Sequence, residues 1–186
     1  MRNQKTIKLV QAAVIAALYV VLTMLANALG LANYAIQVRF SEALTVLPFF
    51  TPAAVPGLFV GCLLSNMITG CAPWDVVFGS LATLVGALGT WALRKHKWLA
   101  PLPPIVANII VVPLVLSYVY KLEGSLIYFA ITVGIGEIIS CGLLGMTLLF
   151  TLDKRKNQIF PQEYKNKKRG MASRPYLFLL SKIILQ

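Results

Sequence analysis

The chain has 186 residues, 58% of them hydrophobic and 12% charged, with a formal net charge of +11. A water-soluble domain of this length cannot hide so much apolar surface, which leaves an all-α, polytopic membrane protein. The positive charge does not mark a nucleic-acid binder. Apart from Arg39 and Lys121, every Lys and Arg lies near the N-terminus, in Arg94–Lys97 or beyond Asp153, the kind of distribution that sets membrane orientation.

A first span is predicted over about Lys8–Leu29, long enough for a hydrocarbon core of roughly 30 Å. Its length, and the spans that follow it, argue against a cleaved signal peptide. The segment Gly30–Glu42 is polar and irregular. Ala43–Phe50 is apolar but interrupted by Pro48 and followed by Pro52, so with Ser41 it forms a short or tilted second helix. The third span covers about Ala53–Thr69 and the fourth Trp74–Leu93. The fifth covers Leu99–Tyr120, with Pro101, Pro103 and Pro104 near its start and Pro113 inside, and the sixth Gly124–Leu152. Six spans place both termini on one side, and the basic ends and the Arg94–Lys97 loop then all face the cytoplasm. Residues 1–155 form the transmembrane domain and 156–186 a basic cytoplasmic tail. Within the tail, Met171–Gln186 turns apolar again and reads equally as a surface-lying segment or a plain extension. No inverted repeat is visible.

In this topology several polar side chains converge on the outer half of the bundle. Arg39 and Glu42 lie in Ile36–Pro48 between two apolar segments, where charges are costly and usually serve a site, a pathway or a pairing. Asn66 lies near the outer end of the third span, and Trp74 and Asp75 open the fourth. Asn108 and Glu137 lie deeper, in the fifth and sixth. Together they suggest an outward-opening pocket for a small polar ligand with an aromatic body. Blander readings stand beside these. Arg39 and Glu42 pair with each other, Asp75 caps its helix, Trp74 anchors at the interface, and Asn66 and Asn108 bridge helices. Glu137 is the leading candidate for direct recognition, because a carboxylate deep in a span must be paired, protonated or wet.

Ala12, Ala13, Ala16 and Ala17 form two overlapping Ala-xxx-Ala pairs on the first span. Small residues four apart share a face and admit another helix closely, whether a partner's or one of the chain's own. Cys62, Cys71 and Cys141 have no metal spacing and read as helix-contact residues, and His96 reads as a solvated loop residue. No metal or cofactor is expected. No H-E-x-x-H, G-x-S-x-G or Walker A motif occurs, so neither catalysis nor direct use of ATP is expected of this chain.

Three stretches carry a resemblance: Gln37–Pro48 (QVRFSEALTVLP), Gly57–Asn66 (GLFVGCLLSN) and Trp74–Thr83 (WDVVFGSLAT). Together they are similar to the QueT family over about residues 5 to 155. Those proteins are substrate-binding S components of energy-coupling factor (ECF) transporters, assigned to queuosine precursors. The resemblance implies a six-helix bundle in the cell membrane, without ATPase activity, that binds a deazaguanine base from outside through the loop after the first helix. It further implies docking through the small-residue face of that helix onto a transmembrane T component, with two cytoplasmic ATPases completing the complex. Glu137, Glu42 or Asp75 would then accept the N–H donors of a guanine-like edge, and Arg39 would face its carbonyl or clamp the loop. Trp74, Phe78 or Tyr34 would stack on the ring. Two other classes stay open: a self-sufficient proton-coupled transporter using Glu137, and an intramembrane enzyme using Glu137 and Asp75.

Overall fold

The computed structural model describes residues 4–31 and 38–159, the side chains of Gln4 and Asn157 excepted. Tyr34 and the tail from residue 160 onward lie outside the described residues. The described residues are helical, without strands, and their helices follow the six predicted segments. Helix α1 runs Gln4–Ala28, followed by a 3-10 helix Phe40–Phe49. Helices α2 Ala54–Ile68, α3 Pro73–Ala92 and α4 Leu102–Tyr118 come next, the last preceded by a 3-10 turn Lys97–Leu99. The last predicted span is helical in consecutive elements: α5 Leu126–Glu137, a π-helical stretch Ile138–Gly145 and α6 Met146–Ile159.

Among the described residues, four helical segments are long and apolar enough to cross a membrane, namely Lys5–Ala28, Pro73–Ala92, Lys97–Tyr118 and Leu126–Lys156. The 3-10 helix and α2 are apolar but shorter. Large apolar side chains point outward along the long helices, with Leu9 71% and Ile127 73% exposed. An apolar exterior around a polar interior is the arrangement lipid requires. The chain is a polytopic helical membrane protein. It divides into two units after Phe150; the described part of the second is 151–159, where Lys156 pairs with Asp153 at 2.8 Å.

Helices α1 and α2 stop in the same way. Gly30 and Gly70 both have φ of +73°, which glycine adopts without steric cost. Leu31 N–H reaches Ala26 O at 3.0 Å and Cys71 N–H reaches Asn66 O at 3.0 Å, six-to-one bonds that tie off the last turn. The 3-10 helix continues through Pro48 with Ser41, Glu42, Thr45 and Val46 buried. At about 2 Å rise per residue its ten residues span roughly 20 Å, short of a bilayer core. It packs on α1, α3 and the π-helical stretch, so its backbone is covered by protein.

Small residues set the helix spacings. A Cβ built on Gly57 would lie 2.7 Å from Ala12 O, and one on Gly61 would lie 2.7 Å from Tyr19 Cβ. Ala12 and Ala16 of α1 are therefore spent against Gly57 and Gly61 of α2. Gly86 meets Pro104 of α4 in the same manner, at 2.6 Å from Pro104 Cα. Gly61→Leu is expected to lower stability by about 1–3 kcal/mol, because the helix backbones must separate to admit the side chain. Thermal unfolding of the detergent-solubilised protein checks this; an unchanged midpoint would mean α1 and α2 are not packed this closely.

Candidate functional site

Near the ends of α1 and α2 that carry the glycine stops, the bundle encloses a cavity of about 310 Å³, at the small end of ligand sites. Its lining draws on α1, the start of the 3-10 helix, α2, α3, α4, the segment after α4, and α5. Six of the residues singled out from the sequence line it together: Arg39, Glu42, Asn66, Asp75, Asn108 and Glu137. Trp74 and Phe78 do not. They lie on the outer face, 62% and 44% exposed, stacked on each other with ring centroids 5.9 Å apart. Helical periodicity explains the difference: Asp75 and Gly79, four apart, face the cavity, and Trp74 and Phe78, each one residue earlier, face away.

Two carboxylates form the floor. Ligand atoms of Glu42, Glu137 and Cys141 all lie within 4.8 Å of one another, and all three residues are buried. Asn108 stands between the two acids and commits its Nδ2 to Glu137 Oε1 at 2.9 Å. This is the helix-bridging role anticipated for Asn108, here joining α4 to α5. The Cys141 thiol lies 3.1 Å from Glu137 Oε2 and 3.4 Å from the Glu42 carbonyl, positioned to donate to either. The π-helical turns begin directly after Glu137, a widening of the kind often found at functional sites.

Tyr19 was not apparent from sequence. It is 1% exposed and donates its hydroxyl to Glu42 Oε1. Thr23, one turn on, has its hydroxyl 2.9 Å from the Tyr19 carbonyl and 2.9 Å from Ser41 Oγ, tying α1 to the start of the 3-10 helix. Arg39 is fastened through its backbone, whose N–H donates to Ser140 Oγ at 3.2 Å. Among the described residues no ion pair reaches the Arg39 guanidinium, so the simple Arg39–Glu42 pairing is not what the structure shows. Glu42 Oε2 is buried without a hydrogen-bond partner.

At the mouth, Tyr120 donates to Asp75 Oδ2 at 2.8 Å and accepts from Ala72 N–H at 3.1 Å. Asp75 therefore does not cap α3; it ties the start of that helix to the segment after α4. Burial, and then the Asp75 carboxylate, push the Tyr120 phenol up to about 12, so the hydroxyl remains a donor throughout the physiological range. Asn66 Nδ2 lies 3.7 Å from Cys62 Sγ and packs beside Gly79 of α3, without a side-chain hydrogen bond to another helix among the described residues.

The small-residue patch on α1 is divided. Ala16 is buried and Ala12 partly so, both against α2, whereas Ala13 and Ala17 are exposed. Val10, Val14 and Val21 are exposed on the same helix, so an apolar surface surrounds the outward pair.

Exposed apolar helix faces around an interior cavity with charged and amide side chains in its lining define a multi-pass helical membrane protein with an internal cavity. The model of the QueT transporter family matches residues 9–154, and the chain belongs to that family. It is similar to a protein named queuosine precursor transporter QueT from Lactococcus lactis subsp. cremoris (strain MG1363), with 38% identity over 99 residues. That match covers 52% of this chain and 57% of the relative, so only a little over half of the relative's length is spanned. Both names describe transporters and not enzymes. No solved structure matches the chain.

Proposed function

We propose that the chain is the membrane-embedded substrate-binding subunit of an energy-coupling factor importer. It captures a queuosine precursor, a deazaguanine base, from outside the cell and delivers it inward. Family membership and the relative's name support the transport of a queuosine precursor. The observation that carries the ligand class is the cavity chemistry: Glu42, whose Oε2 has no hydrogen-bond partner, and the cationic Arg39 line one cavity of about 310 Å³. A fused lactam ring bearing an amine offers donors to the first and a carbonyl to the second.

Orientation follows the basic residues. The N-terminal end of α1, Arg94–Lys97 and the residues after Asp153 face the cytoplasm, so the cavity mouth faces outward. The sequence carries no nucleotide-binding motif, so in this reading a T component and two ATPases supply the energy for accumulation, and the exposed Ala13–Ala17 face of α1 supports a helix-docking role.

Equilibrium binding of 7-deazaguanine bases to the purified protein, with uptake by proteoliposomes, tests this reading. Micromolar or tighter binding is expected, with no accumulation by the chain alone and ATP-dependent uptake once the partner subunits are present. Failure to bind at micromolar ligand would sink the substrate assignment. Uptake by the chain alone under a pH gradient would replace energy coupling with proton coupling, for which the buried Glu42–Glu137 pair supplies a site.

A further inference from the structure

We infer that Glu42, and not Glu137, is the residue that selects the ligand: its Oε2 accepts the exocyclic amine N–H of a planar, amino-substituted lactam heterocycle. The inference rests on the proposed function and names the recognition atom within it.

The four oxygens of the two buried acids are not equivalent. Glu137 Oε1 accepts from Asn108 Nδ2 at 2.9 Å, and its Oε2 faces the Cys141 thiol at 3.1 Å. Glu42 Oε1 accepts from the Tyr19 hydroxyl. Glu42 Oε2 is the one buried side-chain polar atom among the described residues without a hydrogen-bond partner; Asn108 stands beside it but directs its Nδ2 to Glu137. Its residue is 1% exposed and lines the cavity. Leaving a buried acceptor unmatched opposes folding, and such atoms persist mainly where function needs them. Asp75 is a weaker candidate, since it sits at the mouth and Oδ2 already accepts from Tyr120.

The carboxylate is also held still. Tyr19 fixes one oxygen, and the Glu42 carbonyl accepts from Thr45 Oγ1 at 2.6 Å. A rigid acceptor discriminates because an analogue lacking the matching N–H leaves the site's own buried group unpaired. Glu137, with both oxygens engaged inside the protein, positions the floor and contributes general affinity instead of selection.

The test compares two bases, 7-deazaguanine and 7-deazahypoxanthine, which differ by the exocyclic amine, binding to the purified full chain by calorimetry. Wild type is expected to prefer the first by about a hundredfold or more. Glu42→Gln is expected to reduce that ratio below about tenfold, while Glu137→Gln weakens both bases by a similar factor and preserves it. Should Glu42→Gln fail to fold, Tyr19→Phe removes one oxygen and is expected to shrink the ratio by freeing the carboxylate. A ratio retained in both Glu42→Gln and Tyr19→Phe, or lost in Glu137→Gln alone, overturns the assignment. Equal wild-type affinity for the two bases overturns it as well, with the deazaguanine reading intact. Binding of neither base removes the proposed ligand and this inference together.

Discussion

Leucine at positions 13 and 17 together is expected to abolish ATP-driven uptake by the assembled transporter while leaving ligand affinity within about twofold. Both alanines are exposed on α1 and lie four residues apart, on one face. Helix association in lipid depends on close backbone approach, because the surrounding acyl chains are as apolar as the side chains themselves. Two branched side chains on this face hold a partner helix away. Positions 13 and 17 are exposed whereas Tyr19 and Glu42 are buried, so the cavity is expected to keep its geometry.

The inner pair provides the contrast. Ala12 and Ala16 already meet Gly57 and Gly61, with Ala16 Cα and O each 3.0 Å from a Cβ built on Gly61. Ala12→Leu with Ala16→Leu is therefore expected to damage the fold and with it ligand binding. The two double variants separate the faces, by uptake in one case and by thermal stability in the other. Full uptake by Ala13→Leu/Ala17→Leu would remove this face from docking.

The sequence was informative where a single residue type carries an obligatory consequence. Long apolar runs gave the helices, whereas the glycine stops of α1 and α2 emerged only from their positive φ. Charged and amide residues inside apolar runs pointed to the cavity, because lipid makes them too costly elsewhere. Facing was harder to read. Trp74 and Asp75 are adjacent, yet one projects outward and the other lines the cavity. Tyr19 was missed because a tyrosine in an apolar helix reads as ordinary packing, and its value depends on the 3-10 helix bringing Glu42 beneath it. The alanine patch shows the same limit: four alanines in six positions contain two faces, and only their neighbours tell them apart.

Arg39→Ala is expected to weaken binding of a neutral deazaguanine base by about a hundredfold or more, and Arg39→Lys by about tenfold. Arg39 is the only cationic side chain among the described residues lining the cavity, which it shares with Glu42, Asp75 and Glu137. It therefore has two roles there. Its charge offsets three acids, and its planar fork matches a carbonyl that the acids cannot bind. Lysine restores the charge but not the fork, so the lysine variant measures the geometric share. Calorimetry on the three proteins reads both. The sign of the alanine effect also reports on the ligand. Removing the cation disfavours a carbonyl contact but leaves the cavity more negative, so a base carrying its own ammonium group is expected to lose less, or to gain. An unchanged affinity for the neutral base would show that Arg39 fastens the start of the 3-10 helix through Ser140 and does not touch the ligand.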